Sequence, residues 1–254
     1  MNKVTIHGIT LAYIRCGKGT PLMLVHGYPL DHTIWDKVVP LLENDFDLIL
    51  PDLRGFGESQ VVETEYSLTD MADDLAALLD HLGIQQTCLA GHSMGGYIAL
   101  AFARVWPRRL RGLGLVASQA IADTPERRQG RYETASAILR DGVRQVAEEM
   151  SRKLTPDVHA QVFVQKVIAA QSPVGLAGAL RAMARRENAM PFLSSFRLPL
   201  VIVHGDADVL VPVERAHEIK AALPQAHLVE LHGGGHMPML EAPQVTAQAL
   251  KALQ

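Results

Sequence analysis

Ser93 stands between Gly91 and Gly95, with Gly96 next, in the run Gly91-His92-Ser93-Met94-Gly95-Gly96. The apolar stretch Thr87-Cys88-Leu89-Ala90 precedes it, and Ala99-Leu100-Ala101-Phe102-Ala103 follows with a helical composition. Glycine on both flanks lets a strand turn sharply into a helix at one strained residue, whose side chain then projects above the sheet. A serine hydroxyl there attacks a carbonyl only if a base takes its proton, so the pattern predicts a histidine and a carboxylate later in the chain. Leu198 to Val203 is a short β-branched run that empties into Gly205-Asp206-Ala207-Asp208-Val209-Leu210-Val211-Pro212. A further strand, Leu228 to Leu231, leads to Gly233-Gly234-Gly235-His236-Met237-Pro238. Two carboxylates, Asp206 and Asp208, and one histidine, His236, are thus placed after strand ends.

The elements that must hold these groups read as alternating strands and helices. Two N-terminal strands are expected over 3–6 and 10–15, then strands near 21–26, 46–51, 84–90, 110–117, 198–204 and 227–231. Helices are expected over 69–82, 94–105, 213–222 and 241–253. Met71, Leu75, Leu78, Leu79 and Leu82 make one apolar stripe at helical spacing, and Gly83 stops that helix. Such a rhythm predicts an α/β fold: a mainly parallel sheet covered on both faces, with ligands beyond the carboxyl ends of its strands. The stretch from Gln119 to about Met190 breaks the rhythm, with helical patterns near 125–140, 143–153, 156–170 and 174–186 and no convincing strand. It reads as a helical lid at 119–190 inserted into a single domain spanning 1–254, shaping a substrate pocket.

From residue 20 onward the chain resembles the α/β-hydrolases, serine-nucleophile branch. The motifs that carry the likeness are His26-Gly27-Tyr28-Pro29, Asp52-Leu53-Arg54-Gly55-Phe56-Gly57-Glu58-Ser59, the elbow at Ser93, Gly205 to Pro212, and Gly235-His236-Met237-Pro238 with Glu241 and Pro243. The order serine, acid, histidine is that of this fold. The resemblance implies an eight-stranded, mostly parallel sheet. It also implies that the acid follows its glycine by three residues and precedes a proline by four, which selects Asp208 and leaves Asp206 in reserve. Ser93 would then be the nucleophile, His236 the general base and acid, and Asp208 the group that orients the imidazole. The backbone N–H groups of Tyr28 and Met94 would form the oxyanion hole, and the side chains of Tyr28, Met94 and Met237 would line the acyl pocket. His26 and His92 are taken as structural, and the loop from Asp52 to Ser59 as bracing.

Three other patterns are set aside. Gly112-Leu113-Gly114-Leu115-Val116-Ala117 fits a loose dinucleotide fingerprint but lies inside an apolar strand. His232-Gly233-Gly234-Gly235 imitates a lipase oxyanion loop yet comes after the nucleophile. His232 and His236 have the helical spacing of zinc ligands, but three glycines intervene and no third ligand is suggested, so no metal and no cofactor is expected.

Composition is that of a globular enzyme: 254 residues, 48% hydrophobic, 20% charged, net charge −3. That balance gives no sign of a nucleic-acid partner. Cys16 and Cys88 are too few for a disulfide framework, and no apolar run reaches membrane-spanning length. Met1 to Ile9 carries neither a long apolar core nor a small-residue cleavage site, from which a cytoplasmic location without membrane contact is expected. From 119 to 190 there are eleven Lys and Arg against eight Asp and Glu; a solvated helix face is the plain reading, attraction of an anionic substrate the other.

A serine nucleophile excludes the aspartate mechanism of haloalkane dehalogenases and epoxide hydrolases in the same superfamily. The stretch Gln171 to Arg186 resembles the small esterases and β-ketoadipate enol-lactonases, which implies hydrolysis of a small-molecule carboxylic ester or lactone. A C–C bond hydrolase or perhydrolase on the same three residues is the enzymatic alternative. A catalytically silent small-molecule receptor is the non-enzymatic one.

Overall fold

A computed structural model describes residues 1–254. Eight strands run Asn2–Ile6, Ile9–Gly17, Thr20–Val25, Phe46–Pro51, Thr87–His92, Leu110–Val116, Leu200–Gly205 and His227–Leu231, labelled β1 to β8. They form one sheet in the order β1-β2-β4-β3-β5-β6-β7-β8. β2 is antiparallel to both β1 and β4, and every pairing from β4 to β8 is parallel. Helices α1 (Val39–Leu42), α2 (Leu68–His81) and α3 (Met94–Val105) lie among the first six strands. Helices α4 (Pro125–Asp141), α5 (Arg144–Leu154), α6 (Val158–Ala169), α7 (Pro173–Ala184) and α8 (Met190–Leu193) all fall between β6 and β7. Helices α9 (Glu214–Ala222), α10 (Pro238–Glu241) and α11 (Pro243–Leu250) complete the chain. This is the α/β-hydrolase architecture.

The sheet is held by alternation. Met23 and Val25 of β3, Leu89 of β5 and Ile202 of β7 pack into a cluster of 46 buried residues with α2 and α3. Their sequence neighbours Leu22, Leu24, Cys88, Ala90, Val201 and Val203 pack into a second cluster of 28, with α11. Successive strand residues face opposite sides, so a strand apolar at every position is one covered on both faces. Every residue of β5 and β7 is buried, which is why they carry no polar alternation to read.

Boundaries differ from the sequence expectation in two informative places. β5 begins at Thr87, not 84, because Ile84 N donates to Leu79 O (2.9 Å) and Gly83 sits at φ +69°, so these residues finish the α2 cap. The C-terminal helix expected over 241–253 is broken into α10, α11 and a 3-10 turn at Lys251–Leu253, since Pro243 cannot continue α10. Within the insert the helices match expectation to within two residues. α4 packs on α7 and α5 on α6, with Thr124 capping α4 and Asp157 capping α6. No single helix is long and apolar enough to cross a membrane.

Phe102 on α3 is fully buried in the larger cluster. Phe102→Ala is expected to cost about 3–5 kcal/mol of unfolding free energy, measured by urea titration. A cost below about 1 kcal/mol would mean that α3 is not packed on the sheet as described.

Candidate active site

The turn from β5 into α3 places Ser93 at φ +50°, ψ −111°, a conformation that non-glycine residues rarely adopt. It is pinned from both sides: Ser93 N donates to Val116 O (2.9 Å), and Ser118 Oγ donates to Ser93 O (2.9 Å). The neighbouring glycines are forced by close approach. A Cβ on Gly91 would run into the Gly95 carbonyl, one on Gly95 into the Val25 carbonyl, and one on Gly96 into the Ser118 side chain.

Asp208 follows the end of β7 and His236 follows β8, and the parallel strands bring them together. His236 Nδ1 lies 2.6 Å from Asp208 Oδ2, and both residues are buried. The other carboxylate oxygen, Oδ1, accepts from Leu210 N (2.8 Å) and Val211 N (3.0 Å). Burial alone would raise the Asp208 pKa. The His236 charge and the hydrogen bonds from His204, His236 and Val211 outweigh it, holding this carboxyl well below the usual range. Asp206, the reserve candidate, turns outward instead, accepting from Gly233 N (2.7 Å) and bonding the exposed His232 Nδ1 (2.8 Å).

Two further histidines organise the site. His92, next to the serine, donates from Nε2 to the His236 carbonyl (2.8 Å), while His236 N donates to Leu154 O at the end of α5 (3.0 Å). The loop carrying His236 is therefore fastened to both the elbow and the insert. Burial, and next the charge of His236, push the His92 pKa down to about 3, so its ring stays neutral. His26 Nε2 accepts from Leu53 N (3.0 Å), which leaves Nδ1 to donate to Gly27 O (3.0 Å). Asp52 braces the adjoining loop by accepting from His32 N (3.0 Å) and Glu58 N (2.9 Å). As expected, none of these groups faces the serine's cavity.

That cavity, of about 390 Å³, is walled by Tyr28, Ser93, Tyr97, Met150, Met183 and His236 among others. Ser93 Oγ has no hydrogen-bond partner among the protein atoms, and Asp208 occupies Nδ1 of His236, so Nε2 is the ring nitrogen left for chemistry. The Tyr28 N–H donates to no protein acceptor. Met94 is the first residue of α3, so its N–H has no partner within the helix. A smaller cavity of about 150 Å³ behind Tyr97 holds neither Ser93 nor His236.

The structure corrects two expected pocket residues. Met94 and Met237 do not line the cavity; both are fully buried, Met94 in the larger core cluster and Met237 in the smaller. The elbow turns the Met94 side chain back onto the core as α3 begins, and the same happens to Met237 before α10. Of the insert's apolar residues, Met150 and Met183 line the cavity, whereas Phe163 and Val167 pack against the smaller core cluster.

A family model for the alpha/beta hydrolase fold matches residues 20–243. The structure superposes on an esterase from Thermogutta terrifontis with a TM-score of 0.94 and 36% identity, covering 98% of this chain and 96% of that one. An enol-lactonase from Burkholderia xenovorans shares the fold, with a TM-score of 0.91 and 20% identity over 99% of each chain. Lipase 3 of a Moraxella species is 27% identical over 245 residues, 93% of this chain and 78% of its own.

The buried His92 gives the site a pH signature. An unfolded histidine titrates near 6.5, so below about pH 6.5 the unfolded chain binds a proton that folded His92 refuses, and stability falls as pH falls. Relative to His92→Gln, the native protein is expected to lose about 2 kcal/mol between about pH 6.5 and about pH 5, read by chemical denaturation. His236, Asp208 and His26 are the titratable neighbours that bear on this ring. A His92 ring whose NMR shifts titrate near 6.5 would contradict the arrangement.

Proposed function

The chain belongs to the alpha/beta hydrolase fold family, and on that premise we propose that it is a serine hydrolase cleaving carboxylic esters or lactones of small molecules through an acyl-enzyme. The observation that carries this reading is the buried 2.6 Å His236–Asp208 pair opening on the same cavity as a serine held at a strained, glycine-flanked corner. The 36% identical esterase supports the ester class.

Ser93 Oγ attacks the carbonyl carbon while its proton passes to His236 Nε2. The carbonyl oxygen becomes an oxyanion held by the N–H groups of Tyr28 and Met94. Its collapse expels the alcohol oxygen, which takes the proton from His236 and leaves the acyl group on Ser93. Water then gives a proton to His236 and attacks the acyl carbon, and the second collapse returns the proton to Ser93 and frees the acid. Asp208 keeps Nδ1 protonated throughout, so that Nε2 faces the serine as a base, and it stabilises the imidazolium that forms. With a lactone, alcohol and acid remain one molecule.

The insert at 119–190 serves as the lid, its α4, α5 and α7 supplying cavity walls that the sheet cannot. Met150→Ala and Met183→Ala are each expected to shift preference among acyl chain lengths by roughly ten- to two-hundred-fold while leaving Ser93 reactive. Unchanged profiles in folded protein would remove the lid as the specificity element.

Ser93→Ala is expected to lower kcat for p-nitrophenyl esters by about a million-fold without unfolding the protein. Asp208→Asn should lower it by roughly ten-thousand-fold, and Asp206→Asn by far less. Substantial turnover by pure Ser93→Ala protein, or the reverse ranking of the two aspartates, would overturn the assignment.

A further inference from the structure

Four charged side chains line the serine's cavity besides His236: Arg127, Arg131, Lys153 and Glu149. Three are cations and one is an anion. Arg127 and Arg131 lie one turn apart on α4 and share one buried carboxylate, Asp123. Arg131 Nε is 2.5 Å from Asp123 Oδ2 and Arg127 Nε is 3.5 Å from Oδ1, while Arg186 Nη1 reaches the same carboxylate at 2.8 Å. One negative charge cannot neutralise three guanidinium groups, so the cluster keeps an excess of positive charge beside the cavity.

The unspent donors lie on the cavity side of that cluster. Arg186 does not line this cavity; Arg131 and Arg127 do. Arg131 Nη1 has only the Met183 sulfur at 3.4 Å, and a thioether is a weak acceptor for two guanidinium hydrogens. Arg127 Nη2 donates to Leu210 O at 3.2 Å, and its Nη1 has no partner in the protein. Lys153 has no nearer anion than Glu149, at 3.9 Å. Fastening α4 to the segment after α7 does not require the exposed Lys153, on α5, to share a concave wall with the serine and Arg127. A cleft lined mainly by one sign of charge concentrates ligands of the other.

Resting on the proposed esterase or lactonase reading, we propose that the preferred substrate is an ester or lactone carrying a free carboxylate away from its reacting carbonyl. That carboxylate is seated on Arg131, with Arg127 and Lys153 completing a positive rim. The fork of Arg131 fixes its position, and the two more exposed cations draw it in. Glu149 limits the rim to one such group by repelling a second.

The test compares two p-nitrophenyl esters of equal acyl length on the intact protein, the neutral valerate and the glutarate half-ester, with Ser93→Ala as the blank. The glutarate half-ester is expected to give the higher kcat/KM by about ten- to a hundred-fold, the worth of a hydrogen-bonded charge pair. That preference should shrink as sodium chloride is raised. Arg131→Gln should abolish the preference, Arg131→Lys should restore part of it, and the surface variants Arg127→Gln and Lys153→Gln should each lower it. Should Arg131→Gln fail to fold because Asp123 loses a partner, the double variant Arg127→Gln/Lys153→Gln decides, with an expected drop of at least about ten-fold in the glutarate-to-valerate ratio. Ser93-dependent hydrolysis of valerate equal to or faster than that of the half-ester overturns the substrate class and leaves the hydrolase reading standing. Hydrolysis of neither ester overturns both.

Discussion

The corner at Ser93 governs the rest of the molecule. A residue at φ +50° between a strand and a helix is unfavourable by roughly 1–3 kcal/mol, and it persists only where the surroundings leave no alternative. Here they leave none: two hydrogen bonds grip the serine backbone, and three glycines let β3, α3 and the segment at Ser118 approach more closely than any side chain allows. The strain projects the hydroxyl off the sheet and leaves the first N–H of α3 free beside it. The histidine loop is bonded to this corner through His92, so the same geometry sets the position of His236.

Parallel strands do the remaining assembly. Asp208 and His236 are 28 residues apart in sequence, yet β7 and β8 run side by side and end at one edge, which brings the pair within 2.6 Å. The insert contributes from the opposite direction, since the Leu154 carbonyl at the end of α5 accepts the His236 N–H. The insert and the histidine loop are thus joined by a hydrogen bond, so a shift of α5 reaches the imidazole as well as the cavity wall.

Much of this was legible in the residues because the constraints are local. Glycines at 91, 95 and 96 report a close approach that no other residue tolerates. The alternation of β3 and β7 between two cores was legible only as continuous hydrophobicity, because both faces are covered. Other features were hidden because they depend on distant partners. Nothing in the sequence around His92 says that its ring will donate to a carbonyl 144 residues away. Met94 and Met237, beside the key residues in sequence, looked like pocket walls, but side chains next to a sharp turn point away from the one at its apex. Asp206 and Asp208 are the same residue type two positions apart; only the path of the β7 loop, which buries one carboxylate and exposes the other, separates them physically.

Activation of Ser93 by the His236–Asp208 pair is the step on which the proposed function rests. It is tested most directly by intact-mass analysis after exposure to a fluorophosphonate, which reacts covalently with an activated serine and not with an inert one. Complete addition of a single adduct is expected, mapped by peptide digestion to Ser93, with no adduct on the His236→Ala protein. An unmodified mass for the folded native protein, or an adduct on another residue, would contradict it.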